Sequence, residues 1–196
     1  MAGYRALAAA GRSIVDLLNR RFEELLPPGP KPLRAVLAGT VDFDQVNADP
    51  AAVIQYPAIS VYCYRITVDL ETRPGWSAVA YADGIPRLPL RMHLLIAAWD
   101  AAVESELEYL GLTAQILESE PILTGPLLHN SGDWSPGDAV QVVCDDLALD
   151  SMSESFATLT KYRLSLPYQA RVIHLDGRRE ADGEPVATVA AAGVNA

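Results

Sequence analysis

The run Tyr162-Arg-Leu-Ser-Leu-Pro-Tyr-Gln-Ala-Arg-Val-Ile-His174 alternates apolar and polar residues. Tyr162, Leu164, Leu166, Tyr168, Ala170 and Val172 make one face, and Arg163, Ser165, Gln169 and Arg171 make the other. A period of two belongs to a half-buried strand with one dry face and one presented face. The presented face is basic, with Lys161 just ahead of it, in a chain of formal net charge -10. Pro167 withholds one backbone donor, which predicts an edge position or a bulge.

Two more strong strands precede it. Ala58 to Leu70 has an even face of Tyr62, Tyr64, Ile66, Val68 and Leu70, while its odd face passes from Ile59, Val61 and Cys63 to Arg65, Thr67 and Asp69. This strand is expected to enter the core at one end and leave it at the other. Leu88 to Trp99 carries Leu88, Leu90, Met92, Leu94 and Ile96 on one face, with Arg91 and His93 on the other. Ala139 to Cys144 reads as a short strand and Ala35 to Ala38 as an edge strand.

Helical spacing appears twice. Leu7, Ile14, Leu17, Leu18, Leu25 and Leu26 recur at intervals of three and four between Tyr4 and Leu26, and Pro27-Pro28-Gly29-Pro30 stops the pattern. Asp100 is placed to N-cap a helix to about Ser119, with Val103, Leu107, Leu110, Ala114 and Leu117 inward and Glu104, Glu106 and Glu108 solvated. Ser151-Met-Ser-Glu154 matches a capping box. Asp42 to Pro57, Glu71 to Pro86 and Pro121 to Asp138 read as connections, and Ser135-Pro-Gly-Asp138 as a turn with Pro second and Gly third. The fold class is α+β: a single domain with a mainly antiparallel or mixed sheet, an N-terminal helix and a central helix packed on it. Residues 1–176 form that domain and 177–196, rich in Ala, Gly and charge, a flexible tail.

At 196 residues, 50% of them hydrophobic and 20% charged, the chain fits one globular core. Its acidity argues against nucleic acid, whose phosphates need a basic field. No apolar stretch approaches the roughly 20 residues that span a bilayer. The first residues, broken by Arg12, Ser13 and Asp16, read as a helix of the mature protein rather than a signal peptide. Cys63 and Cys144, each in an apolar run, are expected as buried reduced thiols, with a disulfide the alternative.

No nucleophile elbow, phosphate loop, Cys-x-x-Cys or His-Glu-x-x-His occurs. His129 with Asp133 lacks a further metal ligand, so no metal or cofactor is expected. Asp145, Asp146 and Asp150 form an acidic cluster, read as a solvated loop capping the next helix. Trp76, Tyr81 and Trp134 lie in loops, either as a clamp or partner anchors or folded back on the core. The stripe of Lys161, Arg163, Ser165, Gln169 and Arg171 is either an outer face kept wet or a docking face, opposite in charge to the acidic helix. In the second case copies would associate head to tail. Arg73 and Trp76 join it as candidate contact residues.

Three blocks, in order, resemble the N-terminal domain of cap, or tail-terminator, proteins of phage-tail-like contractile injection systems. They are Pro57-Ala-Ile-Ser-Val-Tyr-Cys-Tyr-Arg-Ile66 with Leu70-Glu-Thr-Arg73; Pro86-Arg-Leu-Pro-Leu-Arg-Met-His-Leu-Leu-Ile-Ala-Ala-Trp99; and Asp145-Asp-Leu-Ala-Leu-Asp150 with Tyr162 through Arg171. The resemblance covers nearly all of residues 4 to 176, and least the long loops. It implies a ring, expected as a hexamer, that closes the baseplate-distal end of inner tube and sheath, ends tube polymerisation and performs no reaction. The partners implied are further copies and the tube and sheath proteins, without membrane insertion. Assembly is expected in the bacterial cytoplasm, for a particle that is retained or later released. Two rival readings stand beside it: an adaptor at the baseplate end of the same particle, and a small enzyme using Asp145, Asp146 and His93.

Overall fold

The computed structural model describes residues 3–76, 85–146 and 163–177. The expected capping box, Tyr81, Asp150, Lys161, Tyr162 and the tail beyond 177 lie outside them. Helix α1 (Ala6–Leu25) follows the apolar spacing, burying Ala6, Ala10, Ile14, Leu17, Leu18 and Phe22. It stops before Pro27-Pro28, whose rings cannot continue it. Among the described residues six strands form one mixed sheet: β1 (Arg34–Leu37), β2 (Ala58–Val68), β3 (Arg87–Trp99), β4 (Ile122–Thr124), β5 (Ala139–Cys144) and β6 (Ser165–Asp176). Their order is β1-β2-β3-β6-β5-β4, with β1 parallel to β2 and the other neighbours antiparallel. The α+β class with a mixed sheet is borne out.

Helices α1 and α3 (Val103–Ser119) cover one face, where Ile59, Val61, Leu94, Ile96, Ala98, Val140, Val142, Tyr168 and Ala170 join the main core. Burial pushes the Tyr168 phenol up to about 12. The opposite face carries a smaller cluster. There Phe43, on the short helix α2 (Thr40–Asp44), stacks on Trp99 at 5.5 Å between centroids. Helix α2 and strand β4 lie in stretches the sequence pattern reads as plain connections, since five and three residues are too few to show a period.

β6 lies between β3 and β5, so Pro167 does not mark an edge. Its carbonyl accepts from the Asp145 N–H at 2.9 Å, just past the end of β5. A strand residue points its N and C=O the same way, so the missing donor falls where β5 has already ended. The alternation in β6 is also not strict. Ala170 stands opposite Met92 and Ile173 opposite Leu90, so Arg171 and Val172 together face Arg91. This bulge reverses the faces, and Ile173 reaches the core. A second bulge at Tyr64 splits the even face of β2, because Cys63 pairs with Leu94 and Arg65 with His93. The strand is buried from Ala58 to Val61 and opens beyond, with Ile66 48% exposed.

The central helix starts after Ala102 without a side-chain cap; Asp100 instead accepts from the Ala102 N–H at 3.1 Å, ahead of the helix. Its buried stripe is Glu106, Leu110, Thr113, Ile116 and Leu117, rotated from the expected one. Val103 and Leu107 face outward instead, and Glu106 is buried. The edges of the sheet are short, and one is occupied. Asn19 of α1 donates to the Ala35 carbonyl (3.0 Å) and accepts its N–H (2.9 Å), filling the outer side of β1.

Candidate functional site

The wet face of β6 is the face turned away from α1 and α3. Ser165 stands opposite Ala97, Gln169 between His93 and Val143, and Arg171 beside Gln141. Ser165 Oγ is buried with no hydrogen-bond partner among the described residues. Arg171 Nε donates to Gln141 Oε1 at 3.3 Å.

Arg163 turns away from this group. Its guanidinium donates to Glu106 Oε1 at 2.8 Å and to the Tyr56 hydroxyl at 2.9 Å, and lies 5.4 Å from the Trp99 ring centroid. Glu106 also accepts from the Asp100 N–H at 3.3 Å. Arg163 is thus the counter-charge of a buried carboxylate and joins the approach to β6 to α3 and to the loop before β2. In sequence, Glu106 is indistinguishable from Glu104 and Glu108. The partner that pairs with it lies just ahead of β6, far along the chain.

Arg73 and Trp76 form a 3-10 turn after β2 (Arg73–Trp76), in which Arg73 is exposed. The Trp76 ring lies 3.8 Å from that of His174, centroid to centroid. Burial lowers the His174 pKa. Trp134 reaches the same place from the other long connection. Its indole N–H donates to the His129 carbonyl at 2.8 Å, and the His129 N–H donates to Ser13 of α1 at 2.8 Å. Gly132 makes this possible: a Cβ there would stand 2.4 Å from the indole. The turn at Ser135–Asp138 forms as expected, with Gly137 at φ 92 and the Asp138 N–H on the Ser135 carbonyl.

Together these residues line a cleft of about 500 Å³ with Trp76, Trp134, Ile122, Gln141, Arg171 and His174 on its walls. Of the residues singled out in the sequence, it gathers Arg171, Trp76 and Trp134 and leaves Arg163 and Ser165 at the other end of β6. Ile122 carried no signal, lying in a strand of three residues.

Of the acidic cluster expected as a solvated loop, Asp145 is instead drawn into a chain of side-chain contacts. His93 Nε2 lies 2.9 Å from Thr67 Oγ1 and His93 Nδ1 lies 3.3 Å from Asp145 Oδ2, while Asp146 is exposed. The chain of contacts runs from β2 through β3 to the end of β5, and so clamps the outer face of the sheet across β6. His129 bonds Ser131, and among the described residues no group of three His, Cys, Asp or Glu is placed to hold a metal. Both thiols are free. Cys63 is half-buried, but Cys144, at the last position of β5, is exposed rather than buried. Partial burial and then the Glu118 and Asp145 carboxylates raise its pKa.

The sequence model of the Pvc16 N-terminal domain matches residues 9–188. No curated protein matches the chain. Among solved structures, the fold is similar to the sheath/tube terminator of the PVC extracellular contractile injection system in its extended state. That likeness has a TM-score of 0.54 and 19% identity, covering 95% of this chain and 62% of the other. It is also similar to the tube-terminating cap of the anti-feeding prophage, with a TM-score of 0.51 and 17% identity, over 92% of this chain and 59% of that one. The chain therefore spans about three fifths of the length of these structures.

Proposed function

We propose that this chain, which belongs to the Pvc16 N-terminal domain family, caps the tube and sheath of a contractile injection system. The observation that carries the reading is one fold running through nearly the whole chain, shared with two proteins described as terminators of such particles. The subunit acts without catalysis, as a ring of copies, six by our reading, at the baseplate-distal end. It halts tube growth there and holds the last sheath layer, with inner tube and sheath proteins as its partners. Assembly takes place in the bacterial cytoplasm. The surfaces proposed to meet the partners are the cleft wall at Arg171 and Trp76 and the exposed Arg73; Gln169 and Ser165 lie on the same sheet face.

The experiment is removal of the chain from a producing strain. Micrographs should then show tubes of uncontrolled length with sheath lost or disordered at one end, and supplying the chain should restore uniform particles. Particles of unchanged length and sheath order would overturn the reading.

A further inference from the structure

Two exposed surfaces of this molecule are complementary and cannot meet within one copy. The first is a ridge on the opening turns of α3. Val103 and Leu107 are 61% and 55% exposed, and Glu104 and Glu108 beside them are exposed too. Residues four apart share a helix face, so the two apolar and the two acidic side chains run as adjacent rows. The second surface is the cleft, with Ile122 53% exposed and the Trp134 indole and Arg171 also on its wall.

Charge follows the same division. Arg171 spends its Nε on Gln141, and among the described residues no carboxylate lies within ion-pair distance of it. Asp138, also on the wall, turns its carboxylate onto the Ser135 N–H at 2.6 Å. In a chain of net charge -10, two tryptophans and Ile122 beside a guanidinium that no described carboxylate pairs suit an apolar ridge flanked by carboxylates. The cleft begins just past the far end of α3. The helix between Leu107 and Ser119 holds ridge and cleft apart by about 18 Å.

We propose that the Val103–Leu107 ridge of one copy seats in the Trp134–Arg171 cleft of the next. The contact joins unlike surfaces, and such contacts close into rings when the rotation between copies permits. It rests on the reading of the chain as a ring-forming cap and supplies that ring with a specific contact.

The test uses two full-length variants at exposed positions, Leu107→Arg, which removes the ridge, and Ile122→Glu, which puts a carboxylate on the cleft wall. Each alone should self-associate about tenfold more weakly or less in sedimentation velocity, with unchanged circular dichroism and melting. Mixed in equal amounts they should form a discrete dimer that grows no further. The Ile122→Glu chain keeps an intact ridge, the Leu107→Arg chain keeps an intact cleft, and the two remaining surfaces are both blocked. As a second pair, Arg171→Glu should be rescued by a chain carrying Glu104→Lys and Glu108→Lys. Variants that assemble like the parent, a mixture that stays monomeric, or a parent that is monomeric across a concentration series would each overturn the contact. Assembling variants that still cap tubes would leave the capping reading standing. A parent that binds no tube end would overturn that reading itself.

Discussion

Arg163 ties Glu106 of α3 to Tyr56 and Trp99 at the outer cluster. It neutralises Glu106 in a site where that carboxylate is only 3% exposed, and it braces Tyr56 and Trp99. Removing one member of such a pair leaves a buried charge without compensation, whereas replacing both by apolar groups costs little. Arg163→Ala should therefore lose about 2–3 kcal/mol in urea unfolding, and Arg163→Met with Glu106→Leu should recover most of it. Asp69 gives a pH-dependent counterpart. Burial opposes its ionisation, but Arg91 and the N–H groups of Thr72 and Glu71 outweigh burial and hold its pKa below the ordinary range. Its contribution is therefore full above the unfolded carboxylate value, about 3.9, and is lost as pH falls through the lower folded value. Asp69→Asn should destabilise the protein at neutral pH and approach the parent in strong acid. A stability difference that does not change between those conditions would contradict this. At this scale the sequence supplied the residue types but not the pairings, because Arg163 in an alternating strand looks the same whether it faces water or Glu106.

At the scale of elements, the periodic patterns survived where they were long. Helix α1 and strands β2, β3, β5 and β6 appear close to where the apolar residues repeat. The failures have a common physical cause. Each bulge inserts a residue that reverses the faces downstream, and its only trace is two neighbouring apolar residues, such as Val172-Ile173 or Cys63-Tyr64. The stripe of α3 turned because Glu106 takes a core position that a hydrophobic pattern cannot credit to it. The edges of the sheet are an element-level problem as well. β1 is protected by one amide from α1, so Asn19→Ala should leave the Ala35 N–H and C=O unpaired. A loss of about 1–3 kcal/mol is expected in the denaturation midpoint, with aggregation on light scattering as the open edge finds other strands. Unchanged stability and solubility would show that water replaces Asn19 without cost.

At the scale of the whole molecule, one sheet separates two unlike surfaces. One side is built for stability, with two helices over a continuous apolar core. The other carries polar cross-strand pairs, a small aromatic cluster and, at one end, the cleft that brings together Trp76, Trp134 and Arg171. The candidate contact residues were legible as types, two loop tryptophans and a basic strand face. Their meeting in one cleft was not, since it depends on β4 and on the close approach of Trp134 to Gly132. The charge of -10 and the exposed ridge on α3 are properties of a surface suited to a defined neighbour. The central claim is that this neighbour is another copy at the end of a tube. Electron microscopy of intact particles carrying this subunit with a gold-binding tag tests it most directly. Label confined to the baseplate-distal end of each particle, on a ring at the last tube layer, is the predicted result; label at the baseplate, along the sheath or absent from particles would contradict it.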